Sequence, residues 1–170
     1  MKPPIVVTGC QRGGTRIAAQ ILSYDLGLNY VDESEFVPYR LPGDSIVHAP
    51  FLLNEYLTVY YANPGIHFVG VVREPEAILA SMKRVQWMKD EVVDWDAFLI
   101  HYVSFQQKLW KQLKKELPKK SWSEVDYNSL QNHPLFVPKD QRADFHALQW
   151  QVGKPVGPRY WTSHLSRFTA

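Results

Sequence analysis

The segment from residue 3 to residue 22, PPIVVTGCQRGGTRIAAQIL, carries the signals that decide the fold. Its first part, PPIVVTG, is a short β-branched run bounded by proline and glycine, which is typical of a strand buried in a parallel sheet. Its last part repeats apolar residues at helical spacing, at Ile17, Ala18, Ile21 and Leu22. The segment therefore predicts a strand, a glycine-containing turn and a helix in direct succession.

The rest of the chain continues this alternation. Further strands are predicted at residues 28–31, 45–48, 66–72 and 121–127. Helices are predicted at residues 50–62, after Pro75, at 94–117 and at 140–150. Strands that alternate with helices predict an α/β fold, here a single three-layer domain over residues 1–170 with a parallel sheet of about four or five strands. In such sheets ligands bind beyond the carboxyl ends of the strands.

Composition and charge narrow the class of protein. Hydrophobic residues make up 45% of the chain and aromatic residues 14%, which is typical of an ordered globular protein. Lysine and arginine number 19 against 17 acidic residues, so the net charge indicates neither a nucleic acid nor a membrane partner. The apolar run at residues 3–10 is too short to span a bilayer and has no basic leader, so we expect a cytoplasmic protein.

Cysteine and histidine content bears on metal and redox chemistry. Cys10 is the only cysteine, which excludes an internal disulfide and a site of several thiolates. The histidines show no spacing typical of metal ligands, so we expect no metal. A reducing, intracellular setting follows from the same single cysteine.

The turn after the first strand is a candidate anion site. Gly13 and Gly14 allow an anionic group to approach the backbone N–H groups at the start of the helix. The nucleotide-binding pattern G-x-x-x-x-G-K-[ST] has its two glycines at the spacing of Gly9 and Gly14, but Thr15 stands where that pattern requires lysine. Arg12 supplies a cation inside the turn instead. The alternative is that the glycines only form a tight turn and Arg12 is a surface charge.

Two segments together resemble one family. GCQRGGTR resembles the 5′-phosphosulfate-binding loop of the sulfotransferases, in which a lysine or arginine is followed by Ser/Gly/Thr-Gly-Thr. FVGVVREPEAILASMKR resembles the 3′-phosphate-binding segment of the same family, with Arg73, Pro75 and Ser81 at the matching positions. An arginine at a strand end and a hydroxyl on the next helix can hold a phosphate by charge-assisted hydrogen bonds. The likeness is to the group that includes the protein-tyrosine sulfotransferases, although this chain is much shorter.

The resemblance implies an activity and a donor. It implies transfer of a sulfuryl group from 3′-phosphoadenosine 5′-phosphosulfate (PAPS) to a hydroxyl or amine acceptor, without a metal. The segment GKPVGPRYW resembles the C-terminal loop that closes over the nucleotide, and its alternative is an ordinary surface turn. The donor-binding residues implied in this way are Arg12, Gly13, Gly14, Thr15, Arg16, Arg73, Ser81, Lys154 and Arg159. A guanidinium keeps its proton, so Arg12 would act through its charge.

The general base has three candidates. VDESEFVPYR resembles the segment that carries the base in the tyrosine-sulfating group, and matching Pro38 to its proline implies Glu33. Glu35 and His48 are the alternatives. His48 stands where sulfotransferases often have Lys-x-Pro, and it could instead contact the sulfonate. Several aromatic residues could line an acceptor pocket or belong to the core, namely Tyr30, Phe36, Tyr39, Phe51 and Trp87.

Two other functions remain open at this stage. One is a catalytically silent nucleotide-binding domain of the same fold, which the short chain and His48 in place of lysine allow. The other is a P-loop nucleotide kinase. The kinase is disfavoured because no lysine precedes Thr15 and no clear acidic strand end supplies a magnesium ligand.

Overall fold

A computed structural model describes residues 1–37, 39–136, 138, 161 and 163–168. Five strands form one sheet in the order β2-β3-β1-β4-β5, and every neighbouring pair is parallel. The strands are β1 (Ile5–Gly9), β2 (Asn29–Val31), β3 (Ser45–His48), β4 (His67–Val72) and β5 (Trp122–Asp126). The predicted α/β fold with a parallel sheet is confirmed.

Helices connect the strands. They are α1 (Thr15–Leu26), α2 (Tyr56–Ala62), α3 (Pro75–Arg84), α4 (Trp95–Glu116) and α5 (Tyr127–Leu130). The single helix predicted at residues 50–62 is instead a 3-10 helix, Pro50–Glu55, followed by α2. The two segments are separate because the backbone of Glu55, with φ −128° and ψ 28°, leaves the helical region. The helix predicted at residues 140–150 lies outside the described residues.

The core lies on both faces of the sheet. Alternate residues of β1 point to opposite sides, so Ile5 and Val7 pack against α1, whereas Val6 packs against the other layer. That second layer includes Leu53 and Leu113. A third apolar cluster joins α3 to α4 and includes Cys10. Helices on both faces complete the three-layer arrangement.

The strand order creates a crevice beside β1. From β1 the chain runs towards β2 at one edge of the sheet. From β4 it runs towards β5 at the opposite edge. Because the two connections diverge from neighbouring strands, a gap opens beyond the carboxyl ends of β1 and β4. None of the helices in the described ranges is both long enough and apolar enough to cross a membrane.

Candidate functional site

The turn formed by Cys10–Gly14, called here the glycine turn, joins β1 to α1. The N–H of Gly13 donates to the carbonyl of Cys10 over 2.9 Å, which closes the turn. Arg12 has a φ of 65°, which a side-chain-bearing residue rarely adopts. Gly14 is the N-cap of α1 and, as a glycine, supplies no side-chain cap. The first residues of α1, Thr15, Arg16 and Ile17, line the crevice, and the N–H groups at a helix start are suited to bind an anion.

Tyr127 covers one side of the glycine turn. A Cβ atom at Gly14 would lie 2.4 Å from two carbons of the Tyr127 ring, so this contact requires a glycine. The guanidinium of Arg73 lies over the same ring, 4.1 Å from its centroid. Such a stack fixes the plane of the guanidinium and leaves its edge free to donate hydrogen bonds.

The two segments singled out in the sequence meet at this point. Arg73, which follows β4, donates from Nη1 to the main-chain carbonyl of Arg12 over 3.0 Å. On α3, the Ser81 hydroxyl accepts from Nε of Arg12 over 3.4 Å and from Nη2 of Arg84 over 3.4 Å. Three guanidinium groups thus converge on one strand end and one helix.

A cleft of about 250 Å³ lies between these groups. It is called here the anion cleft, and its lining residues are Gln11, Arg12, Gly14, Thr15, Arg16, Ile17, Glu33, His48, Arg73, Ser81, Arg84, Trp87 and Tyr127. Four of these are arginines, against one carboxylate. Burial lowers the pKa of Arg12, and the positive charges of Arg84, Arg73 and Arg16 lower it further. A bound polyanion would relieve this repulsion.

A second cleft, of about 350 Å³, lies between β4 and α4. Its lining mixes Lys111 and Lys114 with Glu74 and Glu124, and Lys114 is already paired with Glu124 over 2.6 Å. Because its charges are of both signs, this cleft is less suited to a polyanion than the anion cleft.

His48 connects the start of α1 to the segment after β2. Its Nε2 lies 3.0 Å from the Thr15 hydroxyl, and its Nδ1 lies 3.0 Å from a carboxylate oxygen of Asp32. Burial lowers the pKa of His48, although the hydrogen bond with Asp32 opposes that change. The imidazole is therefore neutral at neutral pH, and a neutral imidazole is able to accept a proton.

The acidic segment after β2 is held by its own hydrogen bonds. The N–H of Glu33 donates to Asp32 over 2.8 Å, and the N–H of Asp32 donates to the Glu35 carboxylate over 3.0 Å. Arg16 pairs with Asp32 at 3.3 Å and with Glu33 at 3.7 Å. Asp32, Glu33 and His48 each offer a metal-ligand atom, all within 4.8 Å of one another. Because the Arg16 charge already lies against both carboxylates, a divalent cation would compete with it there.

The structure brings most of the predicted site residues together. Eight of the predicted donor-binding and catalytic residues line the anion cleft, namely Arg12, Gly14, Thr15, Arg16, Glu33, His48, Arg73 and Ser81. Gly13 belongs to the glycine turn, where its N–H is used internally. Lys154 and Arg159, like the proline at position 38 used for the match, lie outside the described residues. Glu35 is not among the residues that line the anion cleft, and its carboxylate accepts from the N–H of Asp32.

Of the five aromatic residues considered for an acceptor pocket, Trp87 lines the cleft. Phe36 and Phe51 instead stack on each other, with ring centroids 6.0 Å apart. The hydroxyl of Tyr39 donates to Glu55, and Tyr30 packs against the core on the α1 side of the sheet.

Three functional candidates were missed in the sequence. Arg84 lies three residues after Ser81 on α3, a spacing that places both on one helix face and was a usable signal. Asp32 directly precedes Glu33, but nothing local marks it as the partner of His48. Tyr127 ends the strand predicted at residues 121–127, but no local pattern connects it with Gly14.

Comparison with known proteins adds no assignment. No protein-family model matches the chain. A search of curated proteins found no significant match.

Proposed function

We propose that the protein is a sulfotransferase that moves a sulfuryl group from PAPS to a hydroxyl or amine acceptor. The observation that carries the proposal is the hydrogen bond from Arg73 to the carbonyl of Arg12, which joins two anion-binding segments along one cleft. PAPS is anionic at both ends, with a 5′-phosphosulfate and a 3′-phosphate. A crevice at the ends of two neighbouring strands, with four arginines around it, suits such a donor.

Charge stabilisation would come from the glycine turn. As the acceptor oxygen or nitrogen attacks sulfur, the bond from sulfur to the 5′-phosphate oxygen breaks, and that oxygen keeps the electron pair. We expect Arg12 and the N–H groups at the start of α1, which line the cleft, to stabilise the developing charge. Loss of one well-aimed donor of this kind typically raises the barrier by about 3 to 4 kcal/mol.

For the proton acceptor we favour His48 over Glu33 and Glu35. The neutral imidazole lines the cleft, and its Nε2 contacts the Thr15 hydroxyl at the start of α1. It would take the proton that leaves the acceptor group, which typically accelerates such a step about 10²- to 10⁴-fold. Glu33 also lines the cleft but is paired with Arg16, and Glu35 accepts a hydrogen bond from the Asp32 backbone.

Binding of adenosine 3′,5′-bisphosphate, the desulfated product, tests the proposal first. Calorimetry should give saturable binding that is much weaker for adenosine 5′-monophosphate. Lack of bisphosphate binding would contradict the proposal.

The single cysteine is in keeping with a reducing, cytoplasmic setting for this activity.

Turnover is tested with labelled PAPS and a panel of phenols, sugars and amines. Transfer to one of these classes is the expected result, and it should not require magnesium. Saturable bisphosphate binding without transfer to any class would favour a catalytically silent nucleotide-binding domain. Robust magnesium-dependent hydrolysis of ATP would favour a phosphotransferase instead.

A further inference from the structure

Three polar side chains from separate parts of the sequence form a continuous series of hydrogen bonds at the anion cleft. Thr15 is the first residue of α1, His48 is the last residue of β3, and Asp32 follows β2. The two links, Thr15 to His48 and His48 to Asp32, are each 3.0 Å long. All three residues are buried, with 3% or 4% of their surface exposed. We call this series the relay.

The direction of the two hydrogen bonds follows from the state of Asp32. Burial alone would raise the pKa of Asp32, but hydrogen bonds from His48 and from the N–H of Glu33, together with the charge of Arg16, hold it below its ordinary value. An ionised carboxylate only accepts hydrogen bonds, so Nδ1 of a neutral His48 must be the donor. Nε2 then carries the lone pair, and the Thr15 hydroxyl must donate to it.

We propose that Asp32 is a positioning residue that fixes the tautomer of His48, and that Thr15 caps the lone pair of that base until the donor binds. The proposal rests on the proposed function, because it takes His48 as the base. An anionic oxygen at the start of α1 competes for the Thr15 hydroxyl, since charge-assisted hydrogen bonds are the stronger ones. Rotation of that hydroxyl towards the ligand leaves Nε2 open to the acceptor.

Asp32 has a well-matched control in the same protein. Asp25 accepts from Nε2 of His133 over 2.8 Å and from Nε1 of Trp161 over 2.8 Å. This second buried aspartate–histidine pair lies outside the residues that line the anion cleft. Asp25→Asn therefore perturbs a pair of the same chemistry without touching the relay.

The tautomer is read directly by NMR of protein with ¹⁵N-labelled histidine, without any ligand. In the wild type near neutral pH, His48 should carry its proton on Nδ1 and should be unprotonated on Nε2. Asp32→Asn replaces an ionised acceptor by a neutral amide, so a mixture of tautomers should appear. Asp25→Asn should leave the His48 signals unchanged. A wild-type His48 that is protonated on Nε2, or already mixed, would overturn the role of Asp32.

Kinetics separate positioning from folding. Asp32→Asn should lower kcat about 10²- to 10⁴-fold, as expected for loss of a correctly prepared base. Its affinity for adenosine 3′,5′-bisphosphate should stay within about threefold of the wild type, a change of less than 1 kcal/mol. Asp25→Asn should retain wild-type kcat even if its melting temperature falls. Wild-type kcat in a folded Asp32→Asn variant would contradict the proposal.

The cap is tested by adding the bisphosphate to the labelled protein. Binding should shift the Nε2 resonance of the wild type, because that atom loses the Thr15 hydrogen bond. Thr15→Val should show the uncapped resonance before any ligand is added, whereas Thr15→Ser should behave as the wild type. Bisphosphate binding that leaves Nε2 unchanged would overturn the cap. If the bisphosphate does not bind at all, the proposed function fails, yet the tautomer of the free protein still reports on Asp32.

Discussion

Arg73 donates a hydrogen bond to the main-chain carbonyl of Arg12 across 61 positions of sequence, over a distance of 3.0 Å. The bond ties the end of β4 to the glycine turn after β1. Arg12 holds a left-handed backbone conformation that is unfavourable for a residue with a side chain, so contacts from outside the turn help to maintain it. Arg73 is itself oriented by the ring of Tyr127, 4.1 Å away. A change at Arg73 should therefore affect both ligand binding and the shape of the turn.

Arg73→Ala should weaken binding of adenosine 3′,5′-bisphosphate about 10- to 100-fold, since a hydrogen bond to a charged group contributes about 1.5 to 3 kcal/mol. Arg73→Lys should recover only part of this loss, because an ammonium lacks the planar fork that stacks on Tyr127. Calorimetry measures both affinities. The control is Lys83→Ala on α3, which removes an exposed ion pair with Asp96 and should bind as the wild type. Wild-type affinity in Arg73→Ala would show that Arg73 is structural only.

Gly14→Ala and Gly27→Ala form a matched pair at the two ends of α1. Both glycines have positive φ, 93° and 64°, so each alanine introduces backbone strain. Only at Gly14 would the new Cβ meet a ring, that of Tyr127 at 2.4 Å, whereas Gly27 has nothing within 4 Å. Gly27→Ala should lower the free energy of unfolding by about 1 to 2 kcal/mol and leave bisphosphate binding intact. Gly14→Ala should cost more and also abolish binding, as urea unfolding and calorimetry would show. Equal effects at both positions would contradict the role given to the Tyr127 contact.

The sequence predicted the sheet and the Arg12 and Arg73 segments of the site because both depend on local patterns. Strands and the glycine turn are local patterns, and the carboxyl ends of parallel strands meet at one edge, so Arg12 and Arg73 were both expected at that edge. The contact between Asp32 and His48 depends instead on strand register. Val31 pairs with Val47, which puts Asp32 beside His48, but strands of three and four residues give no periodic signal for that pairing.

Tyr127 illustrates the same limit. Asp126 pairs with Val72, so the next residues of the two strands, Tyr127 and Arg73, come side by side. This contact needs β5 to lie next to β4, which is a property of the whole sheet. Residue spacing within either segment does not contain it.

Arg84→Ala should reduce the preference for a bisphosphate. Arg84 and Arg12 share the Ser81 hydroxyl, and the resemblance implies that Ser81 holds the 3′-phosphate. We therefore expect about tenfold weaker binding of adenosine 3′,5′-bisphosphate, which corresponds to one charge-assisted hydrogen bond, and little change for adenosine 5′-monophosphate. Lys83→Ala, one residue earlier on α3, again serves as the control. Equal weakening for both nucleotides would place Arg84 at the other end of the donor.

Cys10 should be chemically inert in the folded protein. It is 6% exposed, and burial raises the pKa of its thiol to about 12. The thiolate is the reactive form, so a disulfide reagent should label the native protein very slowly and the urea-unfolded protein rapidly. Rapid labelling of the native protein, followed by absorbance, would contradict this burial.

The pH dependence of the rate should report the state of His48. Burial lowers the pKa of His48 below its ordinary value of 6.5, and Asp32, Glu33 and Arg16 are the charged groups that act on it. A base must be neutral to accept a proton, so kcat/KM should fall on the acidic side with a midpoint below 6.5; this fall is called here the acid limb.

Unfolding over the same range gives an independent reading of His48. In the window below 6.5 the unfolded chain binds more protons at this position than the folded one, so stability should rise with pH through that window and then level off. His48→Gln should remove this contribution and lower kcat about 10²- to 10⁴-fold, whereas Glu33→Gln should retain the acid limb. Urea unfolding and initial rates, measured on both variants across this pH range, make the comparison. If Glu33→Gln abolishes the acid limb and His48→Gln preserves it, the base is Glu33, because the group whose protonation stops the reaction must be the one whose removal erases the limb.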